Sequence, residues 1–541
     1  MNRLQVYALP VLSGILLALA FPVPDIHAAA WFGLVPLLYS LSGKGPSEGF
    51  REGFATGLVF YLASIWWVIN TMYHYGGLPI SVSIGLLVAL SAYLALYFGA
   101  FGLVFCVVGK RLGSAAALLS APAVWVSLEL LRNYMISGFP WNLLGYSQHA
   151  SLPVIQFADI TGVYGVSALV VLVNAGITQL LLFIKNRRGA IYCVRNGRDE
   201  SRPYNGKERA TLFLSLAVPA LAVAAMASAF VYGSYRLDHM PKPSGSLKAA
   251  LVQGNIEQFH KWDPAFQGEV FDTYKRLTAQ AAKDRPGIII WPETATPFYF
   301  QDKEMNPELL QEAKASGTYL LTGSPTLLDD CGRYMEYNSA YLLTPEGTEA
   351  GRYDKMHLVP FGEYVPLKKL LPFVSRMVTS IGDFGHGTQY RVLDTGHGAF
   401  GTAICFEVIF PELVRHFALN GADFLVTITN DAWFGDSAAP YQHFDMAVFR
   451  AVENRRALLR VANTGITGII LPSGQVASRT GLFREAVLTG AIPLVREKTF
   501  YTLHGDVFAY ACAVVSIIIL MICFFPFRHP RENGGPVALS E

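Results

Sequence analysis

Charged side chains are scarce in this chain. Asp, Glu, Lys and Arg make up 15% of its 541 residues, whereas soluble globular proteins carry about 25%. Apolar residues make up 52%, so much of the chain is expected to lie in lipid. The net charge of +2 supplies neither a basic surface for nucleic acid nor an acidic tail, and no nucleic-acid partner is expected.

Cysteine is also rare, and its spacing excludes two classes of protein. The six cysteines, at positions 106, 193, 331, 405, 512 and 523, show no CxxC spacing, which argues against a zinc site and a disulfide framework. The histidines show no HExxH pattern, so no metal and no cofactor is expected. A disulfide between Cys331 and Cys405 stays open if both lie in an oxidising compartment.

Long apolar runs, by contrast, are numerous. A helix that spans a bilayer needs roughly 20 mostly apolar residues. The first run is followed by further apolar segments and not by an A-x-A site with a mature domain, so it predicts a retained helix rather than a signal peptide. We predict transmembrane helices 1–7 within residues 1–233, an eighth at 507–527 and a tail at 528–541. The eight runs lie at about 5–21, 27–42, 53–72, 79–109, 114–133, 163–185, 210–233 and 507–527.

Lysine and arginine set the expected orientation of these helices. Short loops that contain them alternate with loops, such as 22–26 and 73–78, that contain none. The positive-inside rule then predicts that both termini are cytoplasmic. The large segment 234–506, between the seventh and eighth helices, is predicted to be a folded domain outside the cytoplasm.

One charged pair falls inside the fifth predicted span. Glu129 and Arg132 are three residues apart and share one helix face. Either they contact a lipid headgroup or a substrate, or they pair with each other near the membrane interface. The sequence leaves both interpretations open.

Short apolar runs alternate with helical patterns from residue 248 onward. Strand patterns such as KAALVQGNI (248–256) and GIIIWPE (287–293) are separated by the helical pattern at 266–283. This alternation predicts an α/β fold with helices covering the faces of a sheet. The strand-rich stretch 337–358 predicts that the sheet is mixed.

Three residues of complementary chemistry each follow a predicted strand: Glu293, Lys355 and Cys405. Ligands of open α/β sheets gather beyond the carboxyl ends of strands. A carboxylate can take the proton of a thiol, and an ammonium can stabilise an oxyanion. The backbone N–H after Cys405 could complete an oxyanion hole. The alternative is a buried structural cysteine, a surface lysine and a carboxylate in a turn.

Three motifs around these residues, in this order, resemble those of the nitrilase, or carbon–nitrogen hydrolase, superfamily. They are WPETATP (291–297), GRYDKMHLVPFGEYVP (351–366) and GTAICFEVIFPE (401–412). Together with seven preceding spans, one following span and GFPWNLLGY (138–146), the resemblance narrows to the bacterial apolipoprotein N-acyltransferase family. It extends over nearly the whole chain.

The resemblance implies a nitrilase-like αββα sandwich for the soluble domain. It also implies a general base at Glu293, a stabilising cation at Lys355 and a nucleophile at Cys405. Phe406 departs from the pattern, because some members of the family have tyrosine there. The resemblance assigns further, supporting roles to Glu363, Glu407 and Trp262.

The implied reaction has two halves. Cys405 takes an acyl chain from a membrane phospholipid, typically phosphatidylethanolamine, as a thioester. The amine of a diacylated apolipoprotein then accepts the chain as an amide. The implied setting is the bacterial inner membrane, with the catalytic domain in the periplasm and the enzyme a monomer. Segment 365–384 is either a gate for acyl chains at the membrane surface or an ordinary amphipathic helix.

Other functions remain open from the sequence. A membrane-anchored nitrilase or amidase would keep the same site but use water as the acceptor. A transporter with an external binding domain would need several ionisable residues inside its spans. A non-catalytic module that binds lipoproteins would not need the thiol of Cys405.

Overall fold

The computed structural model describes residues 3–195, 206–330, 333–364 and 384–525. Along the chain, membrane helices come both before and after the soluble domain. Among the described residues, five helices are long and apolar enough to cross a membrane. They are Ile80–Leu112, Ser114–Tyr134, Val163–Lys185 (within Val163–Arg195), Leu216–Asp238 (within Gly206–Asp238) and Val507–Phe524.

A sixth span is formed only if two helices are counted together. Pro46–Ser64 and Val68–Tyr75 are bent by 59° at a short break. The first two predicted spans correspond to shorter apolar helices, Tyr7–Leu19 (within Arg3–Leu19) and His27–Leu41. The second of these is interrupted near Leu34 and Pro36, so that Ala30–Gly33 and Val35–Leu41 are separate helices. Eight spans are therefore not confirmed in the described part of the chain.

Short helices connect the membrane part to the soluble domain. Three of them, Leu144–Gln148, Leu152–Ile155 and Ala158–Thr161, follow the helix that ends at Tyr134. Their residues are mostly buried, as expected for segments that continue from the membrane helices onto the soluble domain.

Two six-stranded sheets form the centre of the soluble domain. Both are mixed, as the sequence predicts, because each has a parallel centre with antiparallel strands at its edges. The first sheet, in spatial order, is β12 (Ala486–Leu494), β1 (Gly245–Gln253), β2 (Ile288–Ile290), β3 (Tyr319–Asp330), β4 (Arg333–Leu343) and β5 (Glu349–Asp354). The second is β11 (Val476–Arg479), β10 (Gly468–Ile470), β9 (Leu458–Ala462), β8 (Phe424–Thr429), β7 (Ala399–Ile404) and β6 (Val392–Asp394).

Helices cover the outer face of each sheet, which makes the domain an αββα sandwich. Gln267–Ala282 and Met305–Ser316 pack on the first sheet, and Pro411–Leu419 and Ala439–Asn454 pack on the second. The helix Gln267–Ala282 buries residues spaced three or four apart, as an amphipathic helix does. Strand β8 is buried along its whole length, which is typical of a parallel strand covered on both faces. Smaller helical segments are Gln258–Lys261, Pro264–Phe266 and Phe500–His504.

The helix Ala439–Asn454, which we call the seam helix, joins the two parts of the molecule. Every residue except Tyr441 is buried. Gln442 on this helix accepts hydrogen bonds from the indole N–H groups of Trp67 (3.2 Å) and Trp141 (2.7 Å). Its amide group donates to the carbonyl oxygens of Pro22 and Ser64. One side chain therefore bonds to three separate segments of the membrane part, at Pro22, at Ser64 and Trp67, and at Trp141.

The charged pair of the fifth span does not form an ion pair with itself. Glu129 accepts hydrogen bonds from the indole N–H of Trp125 (2.9 Å) and the backbone N–H of Leu144 (2.8 Å). The guanidinium of Arg132 lies over the ring of Tyr61, 5.5 Å from its centre. Glu129 therefore connects its helix to the turn at Leu144, and Arg132 connects it to the helix that carries Tyr61.

We predict that Gln442→Leu weakens the joint between the two parts. The substitution leaves two indole N–H groups and two carbonyl oxygens without this partner, and each buried group left unpaired costs about 1–3 kcal/mol. The melting temperature of the detergent-solubilised protein is expected to fall by at least ~5 °C. Gln475→Leu, at an exposed position, is the matched control, and an equal melting temperature for both variants would contradict the role of Gln442.

Candidate active site

Cys405 lies on a tight turn between a strand and a helix. Strand β7 ends at Ile404, a 3-10 turn runs over Cys405–Ile409, and the helix Pro411–Leu419 follows. The backbone φ of Cys405 is +53°, a region that non-glycine residues seldom occupy outside strained functional turns. The sequence predicted this elbow-like position, in which a nucleophile is held at the end of a sheet.

Glu293 follows strand β2 in the first sheet and is 6% exposed. Its Oε1 accepts hydrogen bonds from the side-chain amide of Asn338 (2.8 Å) and from Lys355 (3.4 Å). Its Oε2 accepts from the backbone N–H of Asn430 (2.8 Å). The turn that carries Glu293 lies so close to β3 that a Cβ on Gly323 would be 2.7 Å from the Cα of Glu293. Both carboxylate oxygens are therefore fixed in place.

Lys355 follows strand β5 and is 1% exposed. Its ammonium donates to Glu363 (2.8 Å) and to Glu293 (3.4 Å). Burial lowers the pKa of Lys355, but the attraction of Glu363 and then of Glu293 outweighs it, so the pKa is raised above its ordinary value. Lys355 is consequently a permanent cation at this site.

The thiol of Cys405 is free and buried. Burial raises its pKa well above the ordinary value, the charge of Glu293 raises it further, and the charge of Lys355 opposes both. Glu293 and Lys355 are thus within electrostatic reach of Cys405. At neutral pH the sulfur is therefore a thiol. Cys331, the alternative disulfide partner, lies outside the described residues.

Glu407 ties the turn of Cys405 to the strand end of Lys355. Its Oε2 accepts from the backbone N–H of Ile404 (2.7 Å). Its Oε1 accepts from the backbone N–H groups of Met356 (2.7 Å) and His357 (3.0 Å) and from the hydroxyl of Tyr353 (2.8 Å). Burial raises the pKa of Glu407 to about 7, although its hydrogen bonds oppose the shift.

The remaining predicted residues have different surroundings. Glu363 accepts from Lys355 and also, through Oε2, from the backbone N–H of Val359 (2.8 Å). Phe406 is buried and packs edge-on against Phe410. Trp262 is 48% exposed, so it lies at the surface of the site rather than inside it. The predicted gate 365–384 lies outside the described residues except for Phe384.

Two polar residues of the site were not predicted from the sequence. Asn338, on β4, donates to both Glu293 (2.8 Å) and Glu363 (3.1 Å). Lys261 is 1% exposed and donates to the backbone oxygen of Glu293 (3.0 Å) and to the hydroxyl of Thr294 (2.6 Å). Burial lowers the pKa of Lys261 to about 8, while Glu293 and Cys405 partly oppose the shift. Lys261 precedes Trp262 in KWDP (261–264), so the predicted role of Trp262 already pointed to this stretch. No pattern in YNSAYLL (337–343) distinguished Asn338.

A buried polar group behind the nucleophile was also missed. His443 on the seam helix is 3.2 Å from the carbonyl oxygen of Cys405. A carbonyl oxygen only accepts, so Nε2 of His443 carries the proton. Its Nδ1 lies 3.1 Å from Asp431 and 3.0 Å from Arg460, and Arg460 bonds to Asp431 at 2.6 Å. Burial raises the pKa of Asp431, but Arg460 and His443 outweigh it and lower that pKa to about 2.

The fold and the matches to two family models define the class of protein. Residues 248–500 match the model described as carbon-nitrogen hydrolase, so the soluble part is a domain of that class joined to membrane helices. Residues 13–176 match the model described as apolipoprotein N-acyltransferase N-terminal domain.

Curated relatives extend this likeness over the whole chain. A protein of Geobacter metallireducens named apolipoprotein N-acyltransferase is 45% identical, over 96% of this chain and 95% of that protein. A protein of the same name from Chlorobaculum tepidum is 32% identical over 95% of this chain and 96% of its own. The chain therefore belongs to the apolipoprotein N-acyltransferase family, which confirms the resemblance stated from its motifs.

Among solved structures, an amidase from Nesterenkonia sp. aligns at 20% identity over 49% of this chain and 95% of its own, with a TM-score of 0.36. That score is too low to support an argument. Membership of the acyltransferase family makes this protein an acyltransferase of the membrane, and the hydrolase alternative is not favoured.

We predict that Glu407→Gln impairs the site while the surrounding fold persists. An amide presents one oxygen and one NH₂ group, so an NH₂ group then faces at least one of the N–H donors that Glu407 now satisfies. The expected result is a melting temperature lower by a few degrees and an acyltransfer rate lower by at least ~10-fold, because a lost buried bond costs about 1–3 kcal/mol. Glu485→Gln, on the surface, serves as the control and should match the wild type.

Proposed function

We propose that this protein transfers an acyl chain from a membrane phospholipid to the N-terminal amine of a diacylated apolipoprotein, through a thioester on Cys405. The observation that carries the proposal is a free thiol on a strained turn, with a fixed carboxylate and a permanent cation beside it. The family to which the chain belongs supports the choice of lipoprotein and phospholipid as substrates.

In the first half-reaction the sulfur of Cys405 attacks the ester carbonyl of the phospholipid. Glu293 takes the thiol proton as the carbon–sulfur bond forms. The ammonium of Lys355 and the backbone N–H of Phe406, which lies in the first turn after the nucleophile, stabilise the oxyanion. The tetrahedral intermediate collapses, Glu293 returns the proton to the departing alkoxide, and lysophospholipid leaves a thioester behind.

In the second half-reaction the amine of the apolipoprotein attacks the thioester. Glu293 accepts a proton from the amine, and the carbon–sulfur bond breaks. The same proton passes to the sulfur, which restores the thiol, and the amide product leaves. Each half-reaction uses the same base and the same oxyanion contacts, so the site needs no rearrangement between them.

The buried network supports the proposed role of Glu293 as the base, although Glu293 also pairs with Lys355. The raised pKa of Cys405 keeps the sulfur protonated until a carbonyl is in place. Asn338 and Lys261 hold the carboxylate and its backbone in position. Glu363 shares the charge of Lys355, which leaves Glu293 free to accept a proton.

Exposed aromatic side chains beside the site suggest where lipid substrates approach. Tyr75, at the end of the bent helix pair, stacks on Phe259 (5.7 Å) and packs edge-on against Trp433 (5.4 Å). Phe259, Trp262 and Trp433 are each at least 40% exposed. Drawing an acyl chain into water costs about 0.8 kcal/mol per methylene, so a rim of this kind at the membrane surface would keep the chain covered.

We further propose the setting that the basic loops and the relatives support. The protein would lie in the bacterial inner membrane with both termini cytoplasmic and residues 234–506 in the periplasm. Phosphatidylethanolamine is the proposed donor, and the proposed active form is a monomer. The catalytic roles of Glu293, Lys355 and Cys405 and the supporting roles of Glu363, Phe406, Glu407 and Trp262 belong to the same proposal.

The central test is mass spectrometry of the peptide that contains Cys405. After incubation with phospholipid and no acceptor, the wild-type peptide is expected to gain the mass of one acyl chain, which hydroxylamine then removes. Cys405→Ser should show no thioester and no transfer, while Glu293→Gln should slow acylation by ~100-fold or more. Membrane insertion should be unchanged in both variants.

Cys512→Ala provides the matched control, because Cys512 lies in a membrane helix away from the site. Addition of a diacylated peptide should discharge the wild-type thioester into an amide. Release of free fatty acid at the same rate with and without the peptide would instead identify a hydrolase. Transfer by Cys405→Ala would rule out the thioester.

The pKa of Lys261 predicts an alkaline limit for acylation. Its cation is lost as the pH rises through about 8, and with it part of the stabilisation of negative charge near Glu293 and Cys405. The rate of acyl-enzyme formation is therefore expected to fall above about pH 8. The unfolded state keeps this proton until about pH 10.5, so stability should rise, not fall, between these two values.

Lys261→Met should lower the rate and remove the fall above about pH 8. Lys248→Met, at an exposed position, is the control and should keep the wild-type profile. A Lys261→Met profile that bends at the same pH as the wild type would show that another group sets the limit.

A further inference from the structure

A second group of polar side chains lies where the membrane part meets the seam helix. Asp25 follows the first helix, His27 begins the short 3-10 turn His27–Ala29, and His149 follows the turn Leu144–Gln148. Asp445 lies on the seam helix. We call these four residues the seam cluster. They share no residue with the candidate active site.

The seam cluster has the spacing of a cation site. Single ligand atoms of Asp25, His27 and His149 all lie within 4.8 Å of one another. His27 Nδ1 is 3.3 Å from Asp25 Oδ1, and His149 Nε2 is 3.9 Å from Asp25 Oδ2 and 3.4 Å from Asp445 Oδ1. Two ligands of one zinc ion, each at about 2.0–2.1 Å, are at most ~4 Å apart. Shifts of less than ~1 Å would therefore bring the ligand atoms of Asp25, His27 and His149 around one ion, and Asp445 Oδ1 lies beside them, 3.4 Å from His149.

Several side-chain atoms of the seam cluster are buried without a hydrogen-bond partner. Among the described residues, this holds for Asp25 Oδ1, His27 Nδ1 and Asp445 Oδ2. Asp445 is only 8% exposed, and its other oxygen faces His149. A buried polar group left unpaired costs about 1–3 kcal/mol, so Asp25 Oδ1 and His27 Nδ1, which are unpaired and face each other at 3.3 Å, require a shared cause.

Hydrogen bonds within the seam cluster do not supply that cause. Neighbouring atoms approach to 3.3–3.9 Å, which is longer than a hydrogen bond between nitrogen and a carboxylate. Within the described part of the chain, the ion pairs of Asp25 and Asp445 are with histidines alone. Two carboxylates thus face two imidazoles without a lysine or arginine in ion-pair contact, which is the arrangement that a bound divalent cation would balance.

We propose that Asp25, His27, His149 and Asp445 bind one Zn²⁺ ion that fastens the membrane part to the seam helix. Imidazole and carboxylate together are ligands that zinc prefers, and four such groups match its usual coordination number. The ion would join three segments that are far apart along the chain. Its role is structural, because the reacting groups at Cys405 belong to a different site.

The test uses tag-free, full-length protein in detergent, first treated with a chelator and then dialysed. Titration with Zn²⁺ is expected to show one bound ion per chain, and Co²⁺ in its place should give the visible absorption of a four-coordinate site. Zinc should raise the melting temperature of the wild type. His149→Gln and Asp445→Asn should each weaken zinc affinity by more than ~10-fold and abolish most of the rise in melting temperature.

His397→Gln replaces an exposed histidine and is the matched control, which should bind zinc like the wild type. If His149→Gln does not fold, Asp25→Asn removes a different ligand and answers the same question. The proposal is overturned if the wild type binds less than one ion per chain, or if His149→Gln and His397→Gln bind zinc equally well. Acylation of Cys405 should proceed in the metal-free wild type at moderate temperature, which separates a structural ion from a catalytic one.

Discussion

The site depends on one buried ammonium shared by two carboxylates. Lys355 is almost completely buried and bonds to Glu363 and Glu293, and a buried charge is tolerated only when it is paired and hydrogen-bonded. Each partner comes from a different segment of the first sheet and its loops. Asn338 bonds to both carboxylates, so the four side chains form one network. The charge of Lys355 therefore fixes the position of Glu293, the proposed base, and would stabilise the oxyanion in the proposed mechanism.

Cys405, the proposed nucleophile, belongs to the other sheet and is held by a separate constraint. Glu407 bonds to Ile404 on one side and to Met356 and His357 on the other, which connects the two sheets at the site. His443 on the seam helix bonds to the carbonyl of Cys405, and Gln442 beside it bonds to tryptophans of the membrane part. The membrane part and the nucleophile are thus attached to adjacent residues of one helix. The soluble domain is therefore packed directly against the membrane part and is not attached by one membrane helix alone.

The sequence predicted the strand ends of the site because they follow local patterns. An apolar run followed by Glu293 or Cys405 can be identified without tertiary contacts, and the mixed sheets followed from the alternation of runs. Strand β12 was missed because its pairing with β1 joins segments more than two hundred residues apart. Asn338 was missed for the same reason, since an amide inside a strand acquires a role only when two loops converge on it. The eight spans are not confirmed for the first helices, because apolar composition does not reveal a break such as the one near Leu34.

Burial of the thiol explains how a cysteine can serve in this position. A resting thiolate would react with oxidants and with any electrophile that reached it. In this site burial and the charge of Glu293 keep Cys405 protonated, so that the reactive form arises only when a substrate carbonyl can receive the sulfur as its proton leaves. In the proposed mechanism the same burial would limit water near the thioester, whereas an amine carried on a lipid would approach from the membrane side. Such a site would favour transfer over hydrolysis, although the proposed base, cation and sulfur would support either reaction.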